Sequence, residues 1–177
     1  TSYFAHGQDS ESIKMSSYEG LHFIVGFMEN ESNLTDFNKQ LEQKIFISSN
    51  YDTPIKVSFG KSIPIDYNVS QNEVLTIDVS KGFENATSEI ITNNVIEITS
   101  EFPISVYAYS SIPRSSDSYA AIPIANWGKE YVAVSMPNDQ YNKITLDSVK
   151  DLTPRSSQIL IMSAYDNTKV KIIPSSL

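Results

Sequence analysis

The stretch Ile104-Ser105-Val106-Tyr107-Ala108-Tyr109 alternates small or branched apolar residues with polar and aromatic ones at a period of two. Successive side chains on a β-strand point to opposite sides. Ile104, Val106 and Ala108 therefore fall on one face, and Ser105, Tyr107 and Tyr109 on the other. The same alternation recurs in Ile55-Lys56-Val57-Ser58-Phe59, in Leu75-Thr76-Ile77-Asp78-Val79 and in Lys169-Val170-Lys171-Ile172. Strands with one apolar and one polar face belong to antiparallel sheets that rest one side on a core.

Working outward from these runs, the pattern predicts strands over 21–28, 43–49, 55–60, 64–69, 73–79, 89–92, 94–100, 103–111, 119–124, 130–136, 158–164 and 168–174. Turn chemistry separates them, as in Asn50-Tyr51-Asp52-Thr53-Pro54, Gln71-Asn72, Pro137-Asn138-Asp139 and Asp166-Asn167-Thr168. Many short strands with regular turn signals point to an all-β fold, an antiparallel β-sandwich of immunoglobulin-like or jelly-roll-like kind. Helical spacing is confined to Leu34, Phe37 and Leu41 behind Thr35, and to Ile144, Val149 and Leu152 before Pro154. Each reads as a loop containing a helical turn.

A second level of order is an internal repeat. Gly20-Leu21-His22-Phe23-Ile24-Val25-Gly26-Phe27-Met28-Glu29-Asn30 aligns with Gly128-Lys129-Glu130-Tyr131-Val132-Ala133-Val134-Ser135-Met136-Pro137-Asn138. After a spacer, Ile45-Phe46-Ile47-Ser48-Ser49-Asn50-Tyr51-Asp52 aligns with Ile159-Leu160-Ile161-Met162-Ser163-Ala164-Tyr165-Asp166. The short runs Ile55-Lys56-Val57 and Val170-Lys171-Ile172 follow. Repeated order of this kind marks duplication of a structural unit. The chain then divides into an N-terminal segment (1–19), a first β-sandwich unit (20–126) and a partial second repeat (127–177). The second repeat holds only its first three strands. Three strands barely stand alone, so they are expected to pack onto the first unit or to await residues beyond Leu177; in the filament or surface-layer alternative, strand exchange with a neighbouring chain completes them.

The chain has 177 residues and a net charge of −8, and its 13 Lys and Arg are scattered singly. Binding to nucleic acid or to an anionic membrane needs a basic stripe, so both are poor candidates. With no Cys, disulfides, thiol nucleophiles and Cys-based zinc sites are excluded. No apolar run approaches the roughly 20 residues of a helical membrane span. The start, Thr1-Ser2-Tyr3-Phe4, is read as that of a mature or trimmed chain whose signal peptide is already absent.

Four stretches resemble the N-terminal domain family named after the IgG Fc-binding mucus protein. They are Gly20-Leu21-His22-Phe23-Ile24-Val25-Gly26-Phe27, Pro103-Ile104-Ser105-Val106-Tyr107-Ala108-Tyr109, Ser116-Asp117-Ser118-Tyr119 with Pro123 and Trp127-Gly128-Lys129-Glu130-Tyr131, and Tyr165-Asp166-Asn167-Thr168 ahead of Val170-Lys171-Ile172. The resemblance implies a secreted or cell-surface β-rich module in large adhesive, mucus-like or matrix proteins. It carries no Fc-binding residue over to this chain.

The chemistry-bearing residues do not assemble into a catalytic motif. Only His6 and His22 could serve a nucleophile, and no Gly-x-Ser-x-Gly elbow occurs. The loop carboxylates Glu29, Asp36, Asp52, Asp117, Glu130, Asp139 and Asp166 make Ca²⁺ a minor candidate, but no Asp-x-Asp-x-Asp loop gathers them. No cofactor is expected. Tyr107, Tyr109, Asp117, Tyr119 and Trp127 form the candidate ligand face, since exposed rings can stack on sugars or anchor a protein. The competing assignment for these rings is a second sheet or the junction between units. The sequons at Asn30, Asn33, Asn68 and Asn85 are candidate N-glycosylation positions of a glycoprotein. Taken together, the expected function is a non-catalytic extracellular binding or adhesion module with a protein or glycan partner on a cell surface, in matrix or in mucus. A carbohydrate-binding module and a structural segment of a filament or surface layer are the alternatives.

Overall fold

A computed structural model of the chain describes residues 16–30, 41–79, 82–113, 115–134 and 157–174. The expected helical turns near 34–41 and 144–152 fall mostly or wholly outside these residues, as do His6, Asn33, Asp36 and Asp139.

The fold is all-β. Its strands are β1 (Glu19–Met28), β2 (Glu42–Ser49), β3 (Thr53–Phe59), β4 (Ile65–Val69), β5 (Val74–Val79), β6 (Glu84–Asn85), β7 (Val95–Ile112) and β8 (Ser115–Ala120). Together they make one 8-stranded sheet organised around β7. The N-terminal half of β7 lies between β3, through Ile55↔Ser100 to Phe59↔Ile96, and β1, through Glu19↔Ser105 to Gly26↔Val95. Its C-terminal half lies between β2, through Glu42↔Ser111 to Ser49↔Ile104, and β8, through Tyr107↔Ala120 to Ile112↔Ser115. Two wings result: β4-β3-β7-β1-β6 and β5-β2-β7-β8. Both feed one core, with Phe23, Val25, Ile55, Val57, Ile96 and Ile98 from the first wing and Ile45, Ile47, Ile77, Val106 and Ala108 from the second. The alternation read from sequence is what aims these side chains inward.

Within residues 20–126 the predicted strands need correction in several places. Runs 94–100 and 103–111 are one strand of 18 residues, not two. The Pro103 position does not end it, because side chains from elsewhere serve its backbone. Ser49 Oγ donates to the Pro103 carbonyl (2.8 Å), and the Phe102 N–H donates to Thr53 Oγ1 (3.1 Å). Residues 89–92 form no strand, and the two-residue β6 lies just before them, with Phe27↔Glu84 and Met28↔Asn85 in register. That pair is parallel, so the sheet is mixed and not wholly antiparallel. Finally, the strand expected at 119–124 runs instead over 115–120, in polar sequence that alternation does not reveal.

Pro123 packs on β1 at Gly20, where an added Cβ would come within 2.4 Å of the proline Cβ. Beyond the short 3-10 turn Ile124–Asn126, the Asn126 side-chain amide donates to the Ser17 carbonyl (3.0 Å). Residues 17 and 126, near the two ends of the sheet's sequence, therefore lie side by side. Residues 127–134 and 157–174 form no ladder, so the strands expected at 158–164 and 168–174, and that at 130–136 as far as it is described, are not formed. Part of the second segment nevertheless rests on the first body. A Cβ at Gly26 would lie 2.9 Å from Leu160 Cδ2 and 3.0 Å from Met162 Sδ.

Candidate functional site

The ladder registers place two rows of side chains across the outer face of the β5-β2-β7-β8 wing. One row runs Thr76, Phe46, Tyr107, Ala120, and the next runs Asp78, Lys44, Tyr109, Ser118. Each is directed outward because its neighbours along the strand, such as Ile45, Ile47, Val106 and Ala108, are buried. Phe46 and Tyr109 meet at 6.3 Å between ring centroids with an interplanar angle of 57°. Tyr107, directly opposite Phe46, is about half exposed. Strands spaced about 4.8 Å apart bring the three rings together as one aromatic platform, with Phe46 and Tyr109 tilted against each other, edged by the hydroxyls of Thr76 and Ser118 and by Lys44 and Asp78. Lys44 also reaches Glu42 at 3.4 Å.

The five residues expected to share a ligand face separate. Tyr107 and Tyr109 lie on the platform. Tyr119 and Asp117 stand opposite Ala108 and Ser110 and belong to the other face of β8. The Tyr119 hydroxyl donates to the Gly26 carbonyl (2.8 Å) and accepts the Gly26 N–H (3.1 Å), closing the outer edge of β1. Burial pushes its phenol above the ordinary tyrosine range, against the lowering effect of the Gly26 bond. Asp117 Oδ1 accepts the Ser118 N–H (2.8 Å). The Trp127 indole N–H donates to the Ile122 carbonyl (2.8 Å), outside the sheet. Phe46 was missed by sequence reasoning. Its place between Ile45 and Ile47 is the signal that directs it outward.

His22 Nε2 lies 2.6 Å from Glu97 Oε1 across β1 and β7, with no Ser hydroxyl in that contact. Asp52 Oδ1 accepts the Gln71 N–H (2.8 Å) and acts in a turn. Among the described residues, no group of three or more His, Asp or Glu is placed to hold a metal ion. An open polar cleft of about 240 Å³ lies beside Ser105 of β7, lined by Glu19, Asn50, Asn72 and Glu73 among others. Close to it in sequence, Tyr51 stacks on Phe102 at 5.4 Å.

The sequons also separate. The Asn85 side-chain amide donates to the carbonyls of Phe27 and Asn94, and its oxygen accepts from Thr92. Asn30 donates to Ser110 Oγ (3.3 Å), and its N–H is accepted by Glu84. Burial raises the Glu84 carboxyl above its usual range; the Asn30 N–H counters this and Glu29 adds to it. Asn68, on the edge strand β4, is exposed. No protein-family model, curated protein or solved structure matches the chain.

Proposed function

We propose that this chain is a non-catalytic, extracellular binding or adhesion module that engages a protein partner through the outer face of the β5-β2-β7-β8 wing. The observation that carries the reading is the platform of Phe46, Tyr107 and Tyr109, held outward on a rigid sheet. Rings with few rotatable bonds on a preordered surface lose little entropy on binding, and such rings dominate binding energy at protein interfaces. The polar border of Thr76, Ser118, Lys44 and Asp78 fits the polar rim around such a centre. The resemblance to the mucus-protein domain family points to the same surroundings, a cell surface, matrix or mucus. Among the described sequons, the exposed Asn68 is the best presented for glycosylation there.

The test is adhesion to immobilised matrix and mucus proteins, before and after enzymatic deglycosylation, with Tyr107→Ser/Tyr109→Ser as the comparison. Both tyrosines lie on the outer face, so the variant is expected to fold. It should bind at least roughly tenfold more weakly, as expected for loss of two ring anchors. Equal binding by wild type and variant would refute the assignment. A row of outward rings bordered by hydroxyls also offers ring faces for stacking on sugars, which makes a carbohydrate-binding module the second reading. Adhesion that disappears on deglycosylation, with matching signals on a glycan array, would favour that reading.

A further inference from the structure

The cleft beside Ser105 belongs to the same outer face as the aromatic platform. The ladder registers give that face a third row, Val74, Ser48, Ser105 and Glu19, one step beyond the row of Phe46 and Tyr107. All four line the cleft. Two residues of a strand advance about 7 Å, so the cleft opens that far from the rings. Two turns supply the rest of its lining, with Asn50 after β2 and Asn72 and Glu73 before β5. These turns are tied together. The Asn72 N–H donates to the Ser49 carbonyl (2.9 Å), and the Gln71 N–H donates to Asp52 Oδ1 (2.8 Å). The concavity is therefore held by the fold itself.

Its charge is one-sided. Glu19 and Glu73 both line it, and neither pairs with a cation among the described residues, whose ion pairs are His22–Glu97, Lys44–Glu42 and Lys56–Asp66. Glu19 is set in place by the Ser16 N–H on Oε2 (2.9 Å), with Asn50 Nδ2 3.5 Å from Oε1. Glu73 lies exposed on its turn. Ser48, Asn50, Asn72 and Ser105 add hydroxyl and amide oxygens that accept hydrogen bonds. A cleft of acceptors and carboxylates that opens onto phenylalanine and tyrosine rings suits a guanidinium. That group carries only donors in a planar fork, pairs with carboxylates and stacks on aromatic faces. A neutral sugar would leave both charges unanswered.

We infer that platform and cleft form one recognition surface for an extended, basic segment of a partner protein. An arginine side chain of that segment enters the cleft toward Glu19 and Glu73. Apolar side chains two and four positions along cover first Phe46 with Tyr107 and then Tyr109, because the period of an extended chain matches the spacing of the rows. The inference rests on the platform reading above and adds the charge and spacing of what the platform holds.

The test titrates the full 177-residue protein, isotope-labelled, with the capped synthetic peptide Arg-Thr-Tyr-Thr-Tyr-Thr and follows amide chemical shifts. Shifts are expected at Glu19, Ser48, Asn72 and Ser105 together with Phe46, Tyr107 and Tyr109. Glutamine in place of the peptide's arginine, or Glu19→Gln/Glu73→Gln in the protein, should weaken binding roughly fivefold. Combining the two changes should weaken it little further, as a direct pairing requires. Glu73→Lys, confined to an exposed turn, should weaken it more, and a peptide with glutamate in place of arginine should recover the loss. Tyr107→Ser/Tyr109→Ser should weaken the arginine and glutamine peptides alike. Binding that needs the tyrosines but ignores both glutamates would overturn this inference and leave the adhesion reading standing. No shift at millimolar peptide, or shifts confined to the platform, would also overturn it. So would tyrosine-dependent binding of a neutral oligosaccharide that is indifferent to Glu19→Gln/Glu73→Gln, a result that assigns the face to sugar.

Discussion

Gln43 stands on the inward face of β2, opposite Val79 and Ser110, with almost none of its surface exposed. Neither its amide nitrogen nor its amide oxygen finds a hydrogen-bond partner among the described residues. A buried amide left in this state costs about 1–3 kcal/mol. Gln43→Leu, of similar volume, is therefore expected to raise the unfolding free energy by about 1–3 kcal/mol, read as a higher urea midpoint at unchanged slope. The parity that aims Gln43 inward is legible in sequence, since Ile45 and Ile47 follow it at spacing two. Whether a buried amide is satisfied is not legible, because that depends on residues far away in the chain. Phe46 is the opposite case. Its outward direction could be read from the same parity, but its neighbours Tyr107 and Tyr109 come from a strand some sixty positions on.

Elements that deviate from alternation were the hard ones to read, and each has a long-range cause. β8 is an edge strand of Ser, Asp and Tyr whose side chains need not enter the core, so its sequence carries no period-two apolar signal. β7 reads in sequence as two strands, 94–100 and 103–111, yet it runs unbroken through Pro103. The Pro103 carbonyl and the Phe102 N–H are served by Ser49 and Thr53, at the end of β2 and the start of β3. Tyr119 ties two such elements together, since its hydroxyl both donates to and accepts from Gly26 of β1. Tyr119→Phe leaves that part-buried edge unpaired and should cost about 1–3 kcal/mol. The pH dependence has a defined sign. With its folded pKa raised by burial, Tyr119 holds its proton more tightly folded than unfolded. Stability is then complete below the unfolded tyrosine pKa and declines as pH climbs through the ordinary range toward the raised value. Urea denaturation at about pH 8 and about pH 11 should show the gap between wild type and Tyr119→Phe narrowing at the alkaline end.

At the scale of the whole molecule, both wings share one strand and one core, so they are expected to unfold together. Ile47→Ala, in the β5-β2-β7-β8 wing, should cost about 2–5 kcal/mol. It should speed exchange of the most protected amides of β3, in the other wing, by the same free energy. Faster exchange confined to β2 and β5 would show the wings to be separate cooperative units. The all-β class and most strands were legible from alternation alone. The central role of β7 was not, because it rests on pairings between residues thirty to ninety positions apart. The contact between Asn126 and Ser17 has a mechanical consequence. A polypeptide that arrives at and departs from one point hangs the intervening residues off its side as a lobe instead of threading them along its length. Tension across residues 16 and 127 falls first on that single amide–carbonyl bond and on Pro123 against Gly20. Only then does it load β1 against β7, from the Glu19 end and one hydrogen bond at a time. Pulled across residues 16 and 127 in a force spectrometer, the molecule is therefore expected to show a small early event, the parting of this clasp, before the main rupture of the core.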